Sequence, residues 1–380
     1  DTVQDMYSTQ RIIPRPVNDF FVAGASKRGW TTWLTAAYEQ GPFGRKRVKA
    51  VAPIVIDVLN MDRQMEHHFN AYGYWAPAIY PYAQQKIFDR FNTEAGQALL
   101  MIVDPFEYRC RLTMPKFIMN STGDQFFLPD SSQFYYDRQE GEQNYLNYVP
   151  NTAHSLDGAV SLEDDESAAS SLLSFYAGIV FNTALPQFSW SFEDDGSILL
   201  NTRTAPTRVQ VWSANITGER DFRLDKVGEV WESSAPIIEA PNARYRARID
   251  LPEEGWTGFF MQVQFTNQLS PLFPFTFTTP VRVLPEAYPD FNGRRIVVGS
   301  GIDATPMVIV QGSPQEMGRQ YGRLMAEEIQ AFIPAFYAGV LAANPELTDE
   351  VLDATWESVR NAADPGYPGD QSRFEEELHG

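Results

Sequence analysis

A serine, an aspartate and a histidine, which together can carry nucleophilic catalysis, follow three separate strand-like runs of the sequence. Ser26 comes directly after the apolar run Val17–Gly24 and before a segment with helical spacing. A serine hydroxyl is a poor nucleophile at neutral pH, so it needs a base within hydrogen-bond reach and an anion that holds that base in the correct tautomer. His154 and Asp124 are the residues of this sequence that we expect to supply that base and that anion.

The residues around Ser26 indicate a strand, a tight turn and a helix, which is the setting of a nucleophile elbow. Gly24 would relieve the turn, and the backbone N–H of Lys27 would donate to an oxyanion at the helix N-terminus. The sequence departs from G-x-S-x-G, because Arg28 occupies the position of the second glycine and Gly29 comes one residue later. The motif alone therefore leaves open a serine that merely caps a helix.

The other two residues of the set also follow strand-like runs. Asp124 comes after Lys116–Ser121, and His154 comes after Tyr145–Val149. Open α/β sheets place catalytic groups just beyond the carboxyl ends of their strands. The chain order serine, aspartate, histidine is the order that α/β-hydrolases use.

Plainer interpretations of these residues stay open. The aspartate could be an ordinary turn residue, with Asp130 and Asp157 as its rivals. The histidine could be a surface-loop histidine. The other three histidines are poorer candidates, because His67 and His68 lie in a polar helical stretch and His379 lies close to the end of the chain.

Four polar residues, Asp57, Asp62, Glu66 and His67, resemble a set of metal ligands. A polar helix face is the better interpretation, because the sequence has neither H-E-x-x-H nor a repeated ligand spacing. We therefore predict no metal site and no cofactor.

An aromatic segment falls where a lid or substrate cap would be inserted. We expect its members to line a substrate pocket for an apolar or sugar group, although core packing is an equal alternative. The residues predicted to line the pocket are Tyr72, Tyr74 and Trp75, with Tyr80 and Tyr82 nearby.

Two further features have a structural interpretation. Cys110, the only cysteine, stands between Arg109 and Arg111, which would lower the pKa of a thiol in close contact, but a structural thiol is favoured. The acidic run at residues 163–166 is best explained as the start of a helix, whose dipole favours negative charge there.

The hydrophobic periodicity changes twice along the 380 residues. Residues 1–185 alternate strand-like and helical segments, which predicts the parallel sheet of an α/β domain. Residues 186–290 show short alternating runs divided by turn residues, which predicts an antiparallel β-sandwich. Residues 291–380 begin with strand-like runs and continue with a helix from Gln315 to about Leu341, which predicts part of an α+β domain.

Composition excludes several classes of partner. The net charge of −19 disfavours nucleic acid and anionic membranes as partners, because both need a cationic surface. A single cysteine excludes an intrachain disulfide, and no apolar run reaches the roughly 18–20 residues that span a bilayer. A small-molecule or peptide substrate is the partner that we expect.

Five blocks of sequence, in the same order, resemble the PhoPQ-activated pathogenicity-related protein family over roughly residues 1–285. The blocks are F-V-A-G-A-S-K-R-G-W-T-T-W-L, V-A-P-I-V-I-D-V-L-N, D-P-F-E-Y-R, T-M-P-K-F-I-M-N-S-T-G-D-Q-F-F-L-P-D-S-S and Y-V-P-N-T-A-H-S-L. The resemblance implies an α/β-hydrolase domain followed by a β-sandwich, usually in exported bacterial proteins. It places Ser26, Asp124 and His154 on the triad positions and leaves the substrate open.

We expect the chain to be a piece of a longer protein. Residues 1–8 resemble the tail of a helix, and the first half of a hydrolase sheet, with the loop that donates the second oxyanion N–H, would precede Asp1. Such a piece would be weak or inactive by itself. Residues 296–345 resemble the opening of acyltransferase-like N-terminal-nucleophile hydrolases that use cysteine, and no cysteine follows Cys110.

The sequence as a whole therefore predicts a serine hydrolase, an esterase or peptidase that acts through an acyl-enzyme. The competing hypothesis is a non-catalytic binding or signalling protein that keeps a hydrolase-like fold.

Overall fold

The fold is described from a computed structural model for residues 17–39, 44–159, 167–270, 273–289, 294–298 and 305–311, and for a few single positions up to residue 332. The chain divides into two compact units, Asp1–Pro289 and Asp290–Gly380.

The first strands and helices form an α/β arrangement. The strands are β1 (Phe20–Ala25), β2 (Val48–Ile54), β3 (Lys116–Ser121) and β4 (Asn144–Val149). The helices are α1 (Lys27–Tyr38), α2 (Met61–Tyr72), α3 (Tyr80–Gln84), α4 (Glu94–Val103) and α5 (Ala168–Val180), with short 3₁₀ turns at Phe88–Arg90, Pro105–Arg111, Ser131–Phe134 and Tyr136–Arg138.

Strands β1 to β4 pair in parallel and in chain order. Every residue of β3 is buried, which requires a layer on each face of the sheet. Helix α1 covers one face, where Trp33 packs with Val48 and Val51. Helix α5 covers the other face, where Phe175 packs on Phe117 with 5.3 Å between ring centroids.

Helix α1 forms because its apolar residues recur at helical spacing. Trp33, Ala36 and Ala37 are buried together, while Arg28 and Tyr38 face solvent. The helix follows the sheet without a linker, since it begins at Lys27 directly after Ser26. A strand, a one-residue turn and a buried helix thus hold the serine at the carboxyl end of β1.

Some of the strands after residue 185 extend the same sheet, and the others form a second sheet. These strands and the short helix between them are β5 (Phe188–Phe192), β6 (Ile198–Thr202), β7 (Arg208–Ile216), α6 (Leu224–Val227), β8 (Glu232–Ser234), β9 (Ile237–Ala240), β10 (Arg244–Ala247), β11 (Trp256–Phe265), β12 (Phe275–Thr278) and β13 (Arg282–Leu284). Strand β12 pairs antiparallel with β4, and the sheet continues through β11 and β7 to β8.

A second sheet, in the order β5-β6-β10-β9, packs on this extension. Ile198 and Leu200 of β6 share one buried cluster with Val211, Phe259 and Met261 of the extended sheet. Two antiparallel layers therefore face each other as a sandwich does. The division predicted at residue 185 does not separate compact units, because one layer of the sandwich is continuous with the parallel sheet through the β4–β12 pair.

The second unit is described only in part. Strands β14 (Arg294–Val298) and β15 (Thr305–Ile309) form an antiparallel pair. Most of the helix predicted for residues 315–341 lies outside the described residues, as do residues 1–16, the acidic run 163–166 and His379. Within the described part of the chain, no helix is both long and apolar enough to cross a bilayer.

Candidate active site

Ser26 occupies a strained turn between β1 and α1. Its φ of 55° and ψ of −125° lie in a region that residues other than glycine seldom adopt. Its backbone N–H donates to the carbonyl oxygen of Ile54 at 2.8 Å, which ties the turn to the end of β2. The N–H of Lys27, the first residue of α1, has no acceptor four residues back within the helix, so it is available at the positive end of the helix dipole.

Two glycines allow this turn to fit against the sheet. A Cβ on Gly24 would lie 2.6 Å from the carbonyl oxygen of Arg28. A Cβ on Gly29 would lie 2.6 Å from Cγ2 of Ile56 and 2.9 Å from the carbonyl oxygen of Gly24. Gly29, three residues after the serine, thus allows the helix to approach the sheet closely. Arg28, which stands at the position of the second glycine in G-x-S-x-G, faces solvent.

Asp124 is held rigidly in the loop after β3. Its side chain is buried, and Oδ1 accepts hydrogen bonds from the backbone N–H groups of Phe126 at 2.7 Å and Phe127 at 3.4 Å. These bonds fix the carboxylate in one orientation. The same carboxylate lies against Nδ1 of His154, at 3.0 Å from Oδ1 and 2.8 Å from Oδ2.

His154 joins the other two residues. Its Nε2 lies 2.9 Å from Oγ of Ser26. Its backbone N–H donates to Oε1 of Gln125 at 3.0 Å, and its ring packs on Phe126 with 4.3 Å between centroids. With Nδ1 facing the carboxylate, the tautomer protonated at Nδ1 leaves Nε2 free to accept a proton from the serine.

The rival aspartates and histidines have other partners. Asp130 is buried and binds Nη2 of Arg220 at 2.6 Å and Nε2 of His67 at 2.9 Å. Asp157 accepts a hydrogen bond from the hydroxyl of Ser155 at 2.6 Å. Nε2 of His68 accepts from a backbone N–H at 3.1 Å, and burial lowers the pKa of its imidazole.

A cleft of about 840 Å³ opens beside Ser26. Its walls come from α1, α2, α4, the segment at residues 78–91 and the loop that carries Phe126 and Phe127. Tyr82 and Phe88 are among the lining side chains. The segment between β2 and β3 therefore does cover the candidate site.

The three aromatic residues predicted to line the pocket do not line this cleft, and they pack behind it. Tyr72 is buried and lies against the guanidinium of Arg223, which also donates to the hydroxyl of Tyr74 at 2.6 Å. Trp75 packs on Phe88 with 4.4 Å between ring centroids. Core packing, the alternative left open by the sequence, describes these three residues, whereas Tyr82 of the same segment lines the cleft. Sequence spacing alone does not show which aromatics face the serine.

The polar helix face predicted for the stretch at residues 57–67 is wrong for two of its four members. His67 is buried, and Nδ1 lies 2.9 Å from the hydroxyl of Tyr288. Asp57 is also buried, whereas Glu66 faces solvent and pairs with Arg63. Within the part of the chain that the structure describes, no three His, Cys, Asp or Glu side chains come together as a metal site. Cys110 is free and exposed.

Asp57 lies in a buried layer beneath the site. Its Oδ2 accepts a hydrogen bond from the hydroxyl of Tyr148 at 2.7 Å. Burial raises the pKa of Asp57 to about 7, the hydrogen bond from Tyr148 opposes the rise, and the negative charges of Asp124 and Asp130 add to it. This carboxyl therefore takes up or releases a proton near neutral pH, close to the candidate triad.

Sequence reasoning missed several residues of the site. Gln125, Phe126 and Phe127 orient Asp124 and His154, and Trp30 and Met65 line the cleft. The first three follow Asp124 directly in the chain, so the motif T-G-D-Q-F-F did contain a signal. The cleft-lining residues had no such signal in the sequence, because apolar residues that line a cleft and apolar residues of a core recur at the same spacing along the chain.

Known proteins resemble this chain in sequence and, in part, in structure. The relative autocrine proliferation repressor protein A of Dictyostelium discoideum is 33% identical over 311 residues, which cover 76% of this chain and 60% of that protein. The chain thus spans about three fifths of the length of this relative.

Two solved structures each match about two fifths of the chain. Acetyl xylan esterase 1 from Thermoanaerobacterium sp. JW/SL YS485 is 17% identical, with 40% of this chain and 46% of that chain covered and a TM-score of 0.28. An acylaminoacyl peptidase from Pyrococcus horikoshii is 15% identical, with 41% and 23% covered and a TM-score of 0.28.

One part of the chain matches a known family. It contains strands β1 to β4, the turn at Ser26 and the five sequence blocks. The family model for PhoPQ-activated pathogenicity-related proteins matches residues 1–223, which is more than half of the sequence. The chain therefore belongs to the PhoPQ-activated pathogenicity-related protein family.

Proposed function

We propose that this protein is a serine hydrolase that cleaves an ester or amide bond through an acyl-enzyme. The observation that carries the proposal is the hydrogen-bonded chain from Ser26 Oγ to His154 Nε2 at 2.9 Å and from His154 Nδ1 to Asp124 Oδ2 at 2.8 Å. These are the distances at which a general base can deprotonate an alcohol.

The proposed reaction has two halves. In the first, Ser26 Oγ attacks the carbonyl carbon, His154 takes the hydroxyl proton and passes it to the leaving alcohol or amine, and the scissile bond breaks. In the second, water attacks the acyl-enzyme with the same histidine as base, and the acid leaves as Ser26 regains its proton. Asp124 keeps the imidazole in its tautomer and stabilises the imidazolium.

The N-terminus of α1 would stabilise the oxyanion of both halves. The backbone N–H of Lys27 follows the nucleophile directly, and the N–H after the nucleophile is one donor of a nucleophile-elbow oxyanion hole. Removing one such donor costs on the order of 10²- to 10³-fold in turnover in serine hydrolases.

Labelling with a fluorophosphonate tests this proposal. The expected result is one phosphonyl adduct, mapped by mass spectrometry to Ser26 and absent from Ser26→Ala. Ser155→Ala is the matched control, since Ser155 is an exposed serine one residue after His154. A folded protein that acquires no adduct at Ser26 would contradict catalysis and favour the competing hypothesis, a non-catalytic binding protein with a hydrolase-like fold.

We also propose that the protein is exported. The support is its family, whose members are usually exported bacterial proteins. Cell fractionation of the source organism tests this, with the protein expected outside the cytoplasm. Recovery from the cytoplasm alone would contradict it.

A further inference from the structure

The cleft beside Ser26 is far larger than a short acyl group needs. At about 840 Å³ it lies in the upper part of the size range of small-molecule sites in proteins, and Ser26 is part of its lining. An acetyl group on the serine would leave most of this space to water.

The cleft walls are mostly hydrocarbon. Trp30, Met65, Leu99 and Phe88 are typical of the lining. Among the described residues that line it, Lys27 is the one charged residue, and it is exposed. No carboxylate lines the described cleft, so a cationic group of a substrate would find no partner there.

Several polar atoms of the lining are already engaged, and Tyr82 and Gln85 add two further polar side chains. The indole N–H of Trp30 donates to the carbonyl oxygen of Val103 at 2.7 Å, so this ring presents carbon to the cleft. The N–H groups of Phe126 and Phe127 donate to Asp124. A sugar or a polar peptide would lose hydrogen bonds to water on entry and regain few, whereas a hydrocarbon chain would lose none.

Resting on the proposed function, we propose that the acyl group delivered to Ser26 is a medium- to long-chain hydrocarbon, so that the substrates are esters of fatty acids. Ser26 Oγ bonds to the fatty-acyl carbonyl carbon, and the ester C–O bond breaks as His154 protonates the departing alcohol. Water then cleaves the acyl-enzyme, releases the fatty acid and restores the serine hydroxyl.

A chain-length series tests the inference on the full chain. Each methylene that enters the cleft should raise kcat/KM by about two- to fourfold, so p-nitrophenyl octanoate, with about six more methylenes, should exceed the acetate by at least about 60-fold. All esters are used below their micelle concentrations. Equal rates across the series, or the acetate as best substrate, would overturn the inference.

A matched pair of surface variants locates the effect. Leu99 lines the cleft and is 46% exposed, and Leu173 on α5 is 41% exposed and lies outside the lining. Leu99→Glu should lower the octanoate-to-acetate ratio of kcat/KM at least tenfold, and Leu173→Glu should leave it unchanged. Ala78→Trp, which adds bulk within the lining, should lower the same ratio. An unchanged ratio in both cleft variants would contradict the inference.

Fluorophosphonate labelling of the same samples separates the two proposals. Adduct at Ser26 without chain-length preference would overturn the fatty-acyl inference alone. Failure to cleave any ester of the series, together with no adduct at Ser26 in folded protein, would overturn the proposed function and this inference with it.

Discussion

Nε2 of His154 lies 2.9 Å from Oγ of Ser26, although 128 residues separate the two in the sequence. The contact exists because β1 and β4 end at the same edge of one sheet, with β2 and β3 between them. The proposed chemistry depends on this arrangement of loops.

Asp124→Asn should lower kcat by about 10³- to 10⁴-fold, because an amide can hold the imidazole in the wrong tautomer and cannot stabilise the imidazolium. Steady-state hydrolysis of a p-nitrophenyl ester measures the effect, with circular dichroism as a check on folding. Asp157→Asn is the control, since Asp157 binds Ser155 in an exposed loop, and its rate should stay within about twofold of the wild type. Equal losses in both variants would argue against the assignment of Asp124.

Gly29→Ala should destabilise the protein by about 1–3 kcal/mol and lower its activity. The added Cβ would lie 2.6 Å from Ile56 Cγ2, so α1 must move away from the sheet and carry the turn at Ser26 with it. Thermal unfolding and ester hydrolysis measure the two effects. Arg28→Ala, a change on the exposed side of the same helical turn, should alter stability by less than about 0.5 kcal/mol. A fully stable and active Gly29→Ala would show that the close approach is not required.

Asp57→Asn should flatten the dependence of stability on pH. The pKa of Asp57 is about 7 in the folded protein and near 3.8 without burial, so between these values the folded state holds a proton that the unfolded state has lost. The free energy of unfolding of the wild type therefore falls as pH rises through this window, and the asparagine variant lacks this loss.

Denaturant unfolding at pH 5 and pH 8 measures the difference. From pH 5 to pH 8, the free energy of unfolding of the variant should rise by about 2 kcal/mol relative to that of the wild type. Asp62→Asn, on the same segment but partly exposed, serves as the control and should follow the wild type. If the free energy of unfolding changed equally with pH in Asp57→Asn and in the wild type, the pH dependence would not come from Asp57.

The sequence predicted the parts of the fold that depend on local pattern. The strand, turn and helix around Ser26 were visible because an apolar run, a glycine and helical spacing follow one another within about 20 residues. The loops of Asp124 and His154 were visible because each follows a strand, and the parallel strands β1 to β4 lie in the sheet in their chain order.

Long-range pairing was not predictable in the same way. The continuation of β4 into β12 joins residues more than 130 positions apart, and no local pattern in either strand identifies its partner. The interpretation of His67 and Asp57 as surface residues failed for a related reason. A charged or polar side chain looks exposed in sequence until its buried partner, such as Asp130 for His67, is known.

The central claim is that Ser26 carries the acyl group during turnover. Rapid acid quench of the protein reacting with p-nitrophenyl octanoate, followed by peptide mass spectrometry, tests it directly. The account predicts one octanoyl group, bound to Ser26 in the wild type and absent from Ser26→Ala. Release of p-nitrophenol at an unchanged rate by Ser26→Ala, or an octanoyl group on another residue during turnover, would contradict it.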